Sequence, residues 1–210
     1  MAEALATLAL SRQRRIAQSA ALRPPLKWAG GKRWLVPFIL PLWEQHKSSR
    51  LVEPFCGGLS VALGLRPLKA LLNDANPHLI NFYSWLSKGL NITINARNDE
   101  QVYYCNRDRF NELISNGLEK SNEAAQLFYY LNRTCFNGLC RFNKRGGFNV
   151  PFGSYSTNLK YKSGFPEYRK PFGVWTFSNM DFEQLTVRPT DIIYADPPYD
   201  VLYSRVSACV

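Results

Sequence analysis

The residues best suited to chemistry in this chain are Asp196-Pro197-Pro198-Tyr199. They follow Asp191-Ile192-Ile193-Tyr194-Ala195, a short apolar run that predicts a buried strand. Two prolines force the chain out of that strand, and each removes a backbone N–H while leaving its carbonyl free. Proline also keeps the preceding residue extended, so the Asp196 backbone is stiff. The result is a rigid strand-end loop with a carboxylate, free carbonyl acceptors and an aromatic ring. That set suits a planar group bearing an exocyclic amine, with acceptors for its N–H groups and a ring for its face. On these four residues alone, a proline turn with a chance acid accounts for the pattern equally well.

Three earlier stretches carry a second kind of chemistry. In Leu26-Lys27-Trp28-Ala29-Gly30-Gly31-Lys32, paired glycines permit close backbone approach and Lys32 stands at the mouth of a helix predicted over about 33–46. The full phosphate-loop pattern is absent, so Trp28 reads as an aromatic lid over a small planar or charged ligand, or as a core Trp beside a Gly-Gly turn. Glu53-Pro54-Phe55-Cys56-Gly57-Gly58 closes a predicted strand with a Gly-rich turn, followed by a helix to about residue 65. Its two adjacent glycines fall short of the three-glycine dinucleotide fingerprint. A second strand, Lys69 to Asp74, ends in an acid able to accept hydrogen bonds from a ribose hydroxyl pair or a cofactor amine.

Other elements must hold these stretches together. Residues 77–88 predict a helix with Leu79, Phe82, Tyr83 and Leu86 on one face, and residues 90–135 read as helical. A further strand, 175–179, leads into Met180-Asp181-Phe182.

Composition narrows the partner. The 210 residues make one domain, or one domain with an insertion, and a formal charge of +10 favours nucleic acid over a membrane. Five cysteines at irregular spacing give no disulfide framework, and Cys135 and Cys140 lack a second ligand pair for zinc. No apolar run is long enough to span a membrane and no signal peptide is visible, so the expected compartment is the cytoplasm. Residues 1–23, arginine-rich with Glu3 as their one acid, resemble a transit peptide but read better as a tail without function.

Taken in order, these stretches resemble the DNA adenine N6-methyltransferases of the Dam type, the D12 class with the alpha motif order. The resemblance covers about residues 24–200 and rests on Leu26–Lys32, Glu53–Gly58, Asn73-Asp74 and Asp196–Tyr199. It implies an α/β fold, a Rossmann-like class I sheet dependent on S-adenosylmethionine, carrying an inserted helical and β-hairpin region that recognises the target. It also implies four parts: a tail (1–23), a cofactor-binding part (24–89), a target-recognition insertion (90–173) and a catalytic part (174–210). Asp196, Pro197 and Tyr199 become the catalytic residues. Trp28, Lys32, Phe55, Gly57, Asp74 and Asp196 become the cofactor site, with no metal. In related enzymes an acid-Phe pair like Asp181-Phe182 lies beside the cofactor adenine.

The insertion adds its own signal. Alternating apolar residues around Lys144-Arg145-Gly146-Gly147 predict a β-hairpin, and eight Lys/Arg stand between residues 133 and 170 against one acid, Glu167. A basic two-stranded ribbon fits the DNA major groove, though charge alone is also met by a solvated basic loop. By resemblance, Leu139, Arg141 and Pro151 read the outer bases of GATC, and Asn137 also contacts DNA. Lys144 and Arg145, at the tip, are expected to meet phosphates.

The chain extends eleven residues beyond Tyr199, where the family normally continues through further strands. An open, incomplete sheet is therefore expected, with a truncated and inactive DNA-binding remnant as the alternative function. Methylation of RNA or of a protein glutamine is a further competing class, disfavoured for protein by the basic hairpin. The expected partner is double-stranded DNA, and the expected state a monomer.

Overall fold

The computed structural model describes residues 22–154 and 163–198, so Tyr199 lies outside the described residues. Four parallel strands form one sheet: β1 (Leu51–Glu53), β2 (Ala70–Asn73), β3 (Trp175–Ser178) and β4 (Ile192–Ile193), in the order β3-β2-β1-β4. Leu51, Val52 and Glu53 face Ala70, Leu71 and Leu72 across the central pair. All residues of β1 and β2 are buried, as a parallel strand covered on both faces requires. Parallel pairing needs a crossover, and α2 (Ser60–Leu65) supplies it between β1 and β2.

The helices begin where their capping chemistry dictates. After a 3-10 turn at Arg33–Leu35, α1 (Val36–Glu44) carries Pro37 in its first turn. In α3 (Pro77–Ser87), the Asn76 side chain accepts the His78 and Leu79 N–H groups. Asp99 caps α4 (Glu100–Ser115) through the Val102 N–H, and Ser121 caps α5 (Asn122–Thr134) through that of Ala124. Pro166 opens α6 (Pro166–Phe172). The core is strongly aromatic: Phe82 of α3 lies parallel to Tyr129 of α5 at 5.8 Å and edge-on to Phe165 at 6.0 Å.

Two expectations are corrected. Residues 90–99 are not helical: the Thr93 and Ile94 N–H groups, which a helix would turn inward, donate to Gln126 Oε1 of α5. The strand at Asp191–Ala195 is shorter and less buried than expected, since β4 spans two residues and Ile193 is 53% exposed. It has β1 as its one neighbour among the described residues, and a shielded ion pair holds its start. There Arg50 donates to both Asp191 oxygens, at 3.0 and 2.6 Å, which keeps the Asp191 carboxyl below its ordinary range.

The predicted hairpin is present. Its arms pair at two antiparallel bridges, Phe142 with Phe148 near the tip and Cys135 with Phe152 at the base. Backbone bonds flank both, from Asn143 N–H to Gly147 and Asn149 N–H to Arg141, and from Phe136 N–H to Pro151 and Gly153 N–H to Thr134. Side chains brace it further. Asn111 of α4 bonds both the N–H and the carbonyl of Phe148, and Asn143 Oδ1 accepts the Arg145 and Gly147 N–H groups to close the tip. The ribbon is thus a sparsely bonded hairpin braced on a helix.

Candidate active site and nucleic-acid surface

The candidate residues gather at the C-terminal ends of β1, β2 and β4, where an open parallel sheet presents its loops. Asp196 follows β4 and is half-buried, while Pro197 and Pro198 are exposed. Lys32 Nζ stands 2.8 Å from Asp196 Oδ2 and 3.2 Å from the Gly30 carbonyl. Lys32 precedes a 3-10 turn, so its positive head, rather than a helix N-terminus, is what the loop offers a ligand.

Trp28 explains the two glycines after β1. A Cβ on Gly57 would come within 2.9 Å of Trp28 Nε1, and one on Gly58 within 2.8 Å of Trp28 Cβ. No real Cβ tolerates such contact, so Gly57-Gly58 forms the seat for an indole. Trp28 is therefore packed onto the turn rather than poised as a separate lid. Gly57 also adopts a φ of +43°, which favours glycine.

Asp74 closes the other side. Its two oxygens accept the Gly57 and Asn76 N–H groups, each at 2.9 Å, while burial raises its carboxyl pKa against those two bonds. Each oxygen retains a second lone-pair site for a ligand hydroxyl. Asn73 fixes the loops around it: its amide donates to Pro54 and Met180 carbonyls, and its oxygen accepts the Met180 N–H. Phe55 and Phe182 rings lie 5.1 Å apart, forming an aromatic wall beside exposed Met180.

One residue in this cluster escaped sequence reasoning. Glu53, 2% exposed at the end of β1, has an Oε1 with no hydrogen-bond partner among the described residues. Burial, reinforced by the nearby Asp196 charge and partly offset by a backbone bond from Ala62, pushes its pKa up to about 8. An acid at the end of a strand gives no sequence sign that burial will raise its pKa.

The second set of residues stands apart on the insertion. Asn137, Leu139, Arg141, Lys144, Arg145 and Pro151 are all exposed, and along 137–141 exposure alternates, with Gly138 and Cys140 buried. Phe136, not singled out from the sequence, is also exposed beside them. Asn137 takes a left-handed φ of +52°, a conformation asparagine tolerates. The Arg141 guanidinium is pre-set by Asn149, through Nε to the side-chain oxygen at 2.8 Å and Nη2 to the carbonyl at 3.2 Å. With Phe142, Asn143, Lys144 and Asn149, it lines a depression of about 540 Å³.

The two sets are joined through side-chain amides. Asn132 of α5 bonds both backbone groups of Lys27, at 2.8 and 2.7 Å, while Gly138 packs so tightly on Lys27 that a Cβ would fall 2.5 Å away. The described residues contain no cluster of three or more His, Cys, Asp or Glu able to hold a metal, and no helix long and apolar enough to cross a membrane.

Comparison with known proteins agrees with this arrangement. Residues 28–206 match the model of the D12 class N6 adenine-specific DNA methyltransferases. The chain is 39% identical over 191 residues to a DNA adenine methylase of Vibrio cholerae, covering 83% of this chain and 64% of that protein. It is 35% identical over 186 residues to the DNA adenine methylase of Escherichia coli K12, with the same coverage. A type II methyltransferase of Lactococcus lactis is 34% identical over 190 residues, 85% of this chain and 66% of its own length. The chain thus spans just under two thirds of the length of these relatives. A parallel α/β sheet with its candidate residues at the strand ends, matched by the family over most of its length, identifies the chain as a member of the D12 class of N6 adenine-specific DNA methyltransferases.

Proposed function

We propose that this chain acts in transferring a methyl group from S-adenosylmethionine to the N6 nitrogen of adenine in duplex DNA, within GATC. The observation that carries the reading is the Asp196 carboxylate on a proline-stiffened loop, paired with Lys32 and beside the Trp28–Gly57–Asp74 cluster. That donor set fits the cofactor: an aromatic wall at Phe55 and Phe182 for its adenine, Asp74 for its ribose hydroxyls, and Lys32 with Trp28 for its charged methionine end. The bound cofactor supplies an electrophilic methyl on a sulfonium sulfur.

The protein's part is positioning and electrostatics. Adenine N6 is a poor nucleophile because its lone pair is delocalised into the ring. Asp196 accepts one N6 hydrogen and the Pro197 carbonyl the other, which favours a pyramidal nitrogen with a freer lone pair. Holding that nitrogen in line supplies much of the acceleration. As the N6 bond to the methyl forms, the methyl's bond to sulfur would break with S-adenosylhomocysteine as leaving group, and the methylated nitrogen would lose its extra proton to solvent. N6 is inaccessible inside a duplex, so the base is flipped out, and Tyr199, outside the described residues, is assigned to stack on it. Arg141 suits a guanine O6/N7 edge, with Leu139, Pro151 and Asn137 beside it and Lys144 and Arg145 on phosphates.

Tritiated-methyl incorporation into a GATC duplex, with Asp196→Ala as control, tests the proposal. Label in adenine that depends on Asp196 supports it. Duplex binding without transfer would favour the remnant reading, for which the exposed β4 is the relevant observation. Label in RNA or protein but not DNA would sink the substrate assignment.

A further inference from the structure

The loop after β2 serves two parts of the molecule at once. Asn76 is buried, and both polar atoms of its side chain have partners. Its backbone N–H donates to Asp74 Oδ1, its side-chain oxygen caps α3, and its amide donates to Cys140 Sγ at 3.4 Å. Two residues on, the His78 ring stacks on Phe142 at 4.7 Å with 17° between planes. Cys140 and Phe142 flank Arg141. The exposed arginine therefore sits between two residues pinned to the start of α3, one turn of chain from Asp74.

Capping does not by itself require asparagine, since serine or aspartate caps as well. What asparagine adds is a donor, and here that donor reaches the insertion. We propose that Asn76 is a positioning residue that couples the cofactor site to the base-reading arm. A ligand held at Asp74 restrains the Asp74–Asn76 turn, and the amide–Cys140 bond passes that restraint to the residues on either side of Arg141. An arm ordered in advance costs less to dock, and by linkage DNA then tightens the cofactor by the same factor. This rests on the roles assigned above to Asp74 and Arg141. The separate tie between Asn132 and Lys27 leaves the base of the arm in place in every variant below.

Hydrogen exchange on the full chain, with and without S-adenosylhomocysteine, tests the coupling in the absence of DNA. In the wild type the ligand should slow exchange about fivefold or more both in the turn 55–60 and in the arm 136–143. Cys140→Ala should keep the effect in 55–60 and reduce that in 136–143 to about twofold or less, and Cys140→Ser, which retains an acceptor, should restore it. Asn76→Ser, which keeps the cap and loses the reach, should behave as Cys140→Ala does and covers the case in which that variant fails to fold. An arm that responds equally in wild type and both uncoupled variants overturns the proposal, as does failure of Cys140→Ser to rescue. A wild type that responds at 55–60 but not at 136–143 overturns it while leaving the cofactor reading intact. A wild type that responds at neither segment removes the cofactor reading, and the coupling with it.

Discussion

Lys32 Nζ and Asp196 Oδ2 are 2.8 Å apart, joining the first glycine loop to the loop after β4. Both side chains are largely shielded, at 18% and 27% exposed, so the pair is less screened than a surface salt bridge. The two residues proposed to serve different molecules, cofactor and adenine, neutralise each other before either arrives. Cofactor binding is thereby expected to come first, since it draws Lys32 toward a carboxylate and leaves Asp196 free to accept N6 hydrogens. Lys32→Ala should weaken cofactor binding about tenfold, or about 1.4 kcal/mol, by titration calorimetry. Asp196→Ala should lower methyl incorporation by at least about a hundredfold. Full activity in Asp196→Ala would remove that residue from the chemistry.

Asp74 has two roles to separate. Asp74→Ala removes both the ligand acceptor and the partners of the Gly57 and Asn76 N–H groups, so cofactor binding should fall at least about tenfold. Asp74→Asn keeps one acceptor oxygen, and its affinity should lie between those of wild type and Asp74→Ala. Equal calorimetric affinity in all three proteins would exclude a role for Asp74 in binding.

On the insertion, Arg141→Ala should cost about 1–3 kcal/mol at one base position and relax the preference there. Asn149→Ala, which frees the guanidinium without removing it, should relax the same position by less. Lys144→Ala should instead weaken binding evenly across duplexes and reduce the salt slope by about one. An anisotropy series over substituted duplexes at several salt concentrations distinguishes these. Uniform weakening by Arg141→Ala would reassign it to the backbone.

Glu53 gives a pH prediction with a definite sign. Its folded pKa, about 8, lies above the ordinary 4.5, so the folded protein holds the extra proton between those values and loses stability as pH rises through them. His78 acts oppositely: burial lowers its pKa from 6.5 to about 4, so stability falls as pH drops through that range. The two nearly cancel below pH 6.5, and Glu53 acts alone above it. At about 1.4 kcal/mol per pH unit, and with the slope halving as Glu53 nears its folded pKa, stability should drop by about 1 kcal/mol from pH 6.5 to 8. Urea unfolding at both values should show that drop in wild type and little of it in Glu53→Gln. Parallel behaviour of the two proteins would mean that Glu53 is ionised in the fold.

Much of this molecule is legible along the chain because its signals are local. Apolar runs ended by glycine or proline mark β1, β2 and the Asp196 loop, and Asn76-Pro77 marks the start of α3. Basic residues interleaved with aromatics mark the insertion. What braces its hairpin could not be read, because Asn111, which bonds both backbone groups of Phe148, is a polar residue 37 positions away on α4. The same limit hid the brevity of β4, whose start is held by Arg50, 141 positions before Asp191. The sequence by itself determined which residue types stand at the ends of the strands, since backbone propensity and turn chemistry act between neighbours. Only the tertiary structure decided that Trp28 is seated on Gly57-Gly58, that Lys32 meets Asp196, that burial raises the Glu53 pKa and that Asn76 reaches Cys140. Each of these depends on distance and desolvation between segments far apart in the chain, and those quantities exist only after the sheet and its helices have packed.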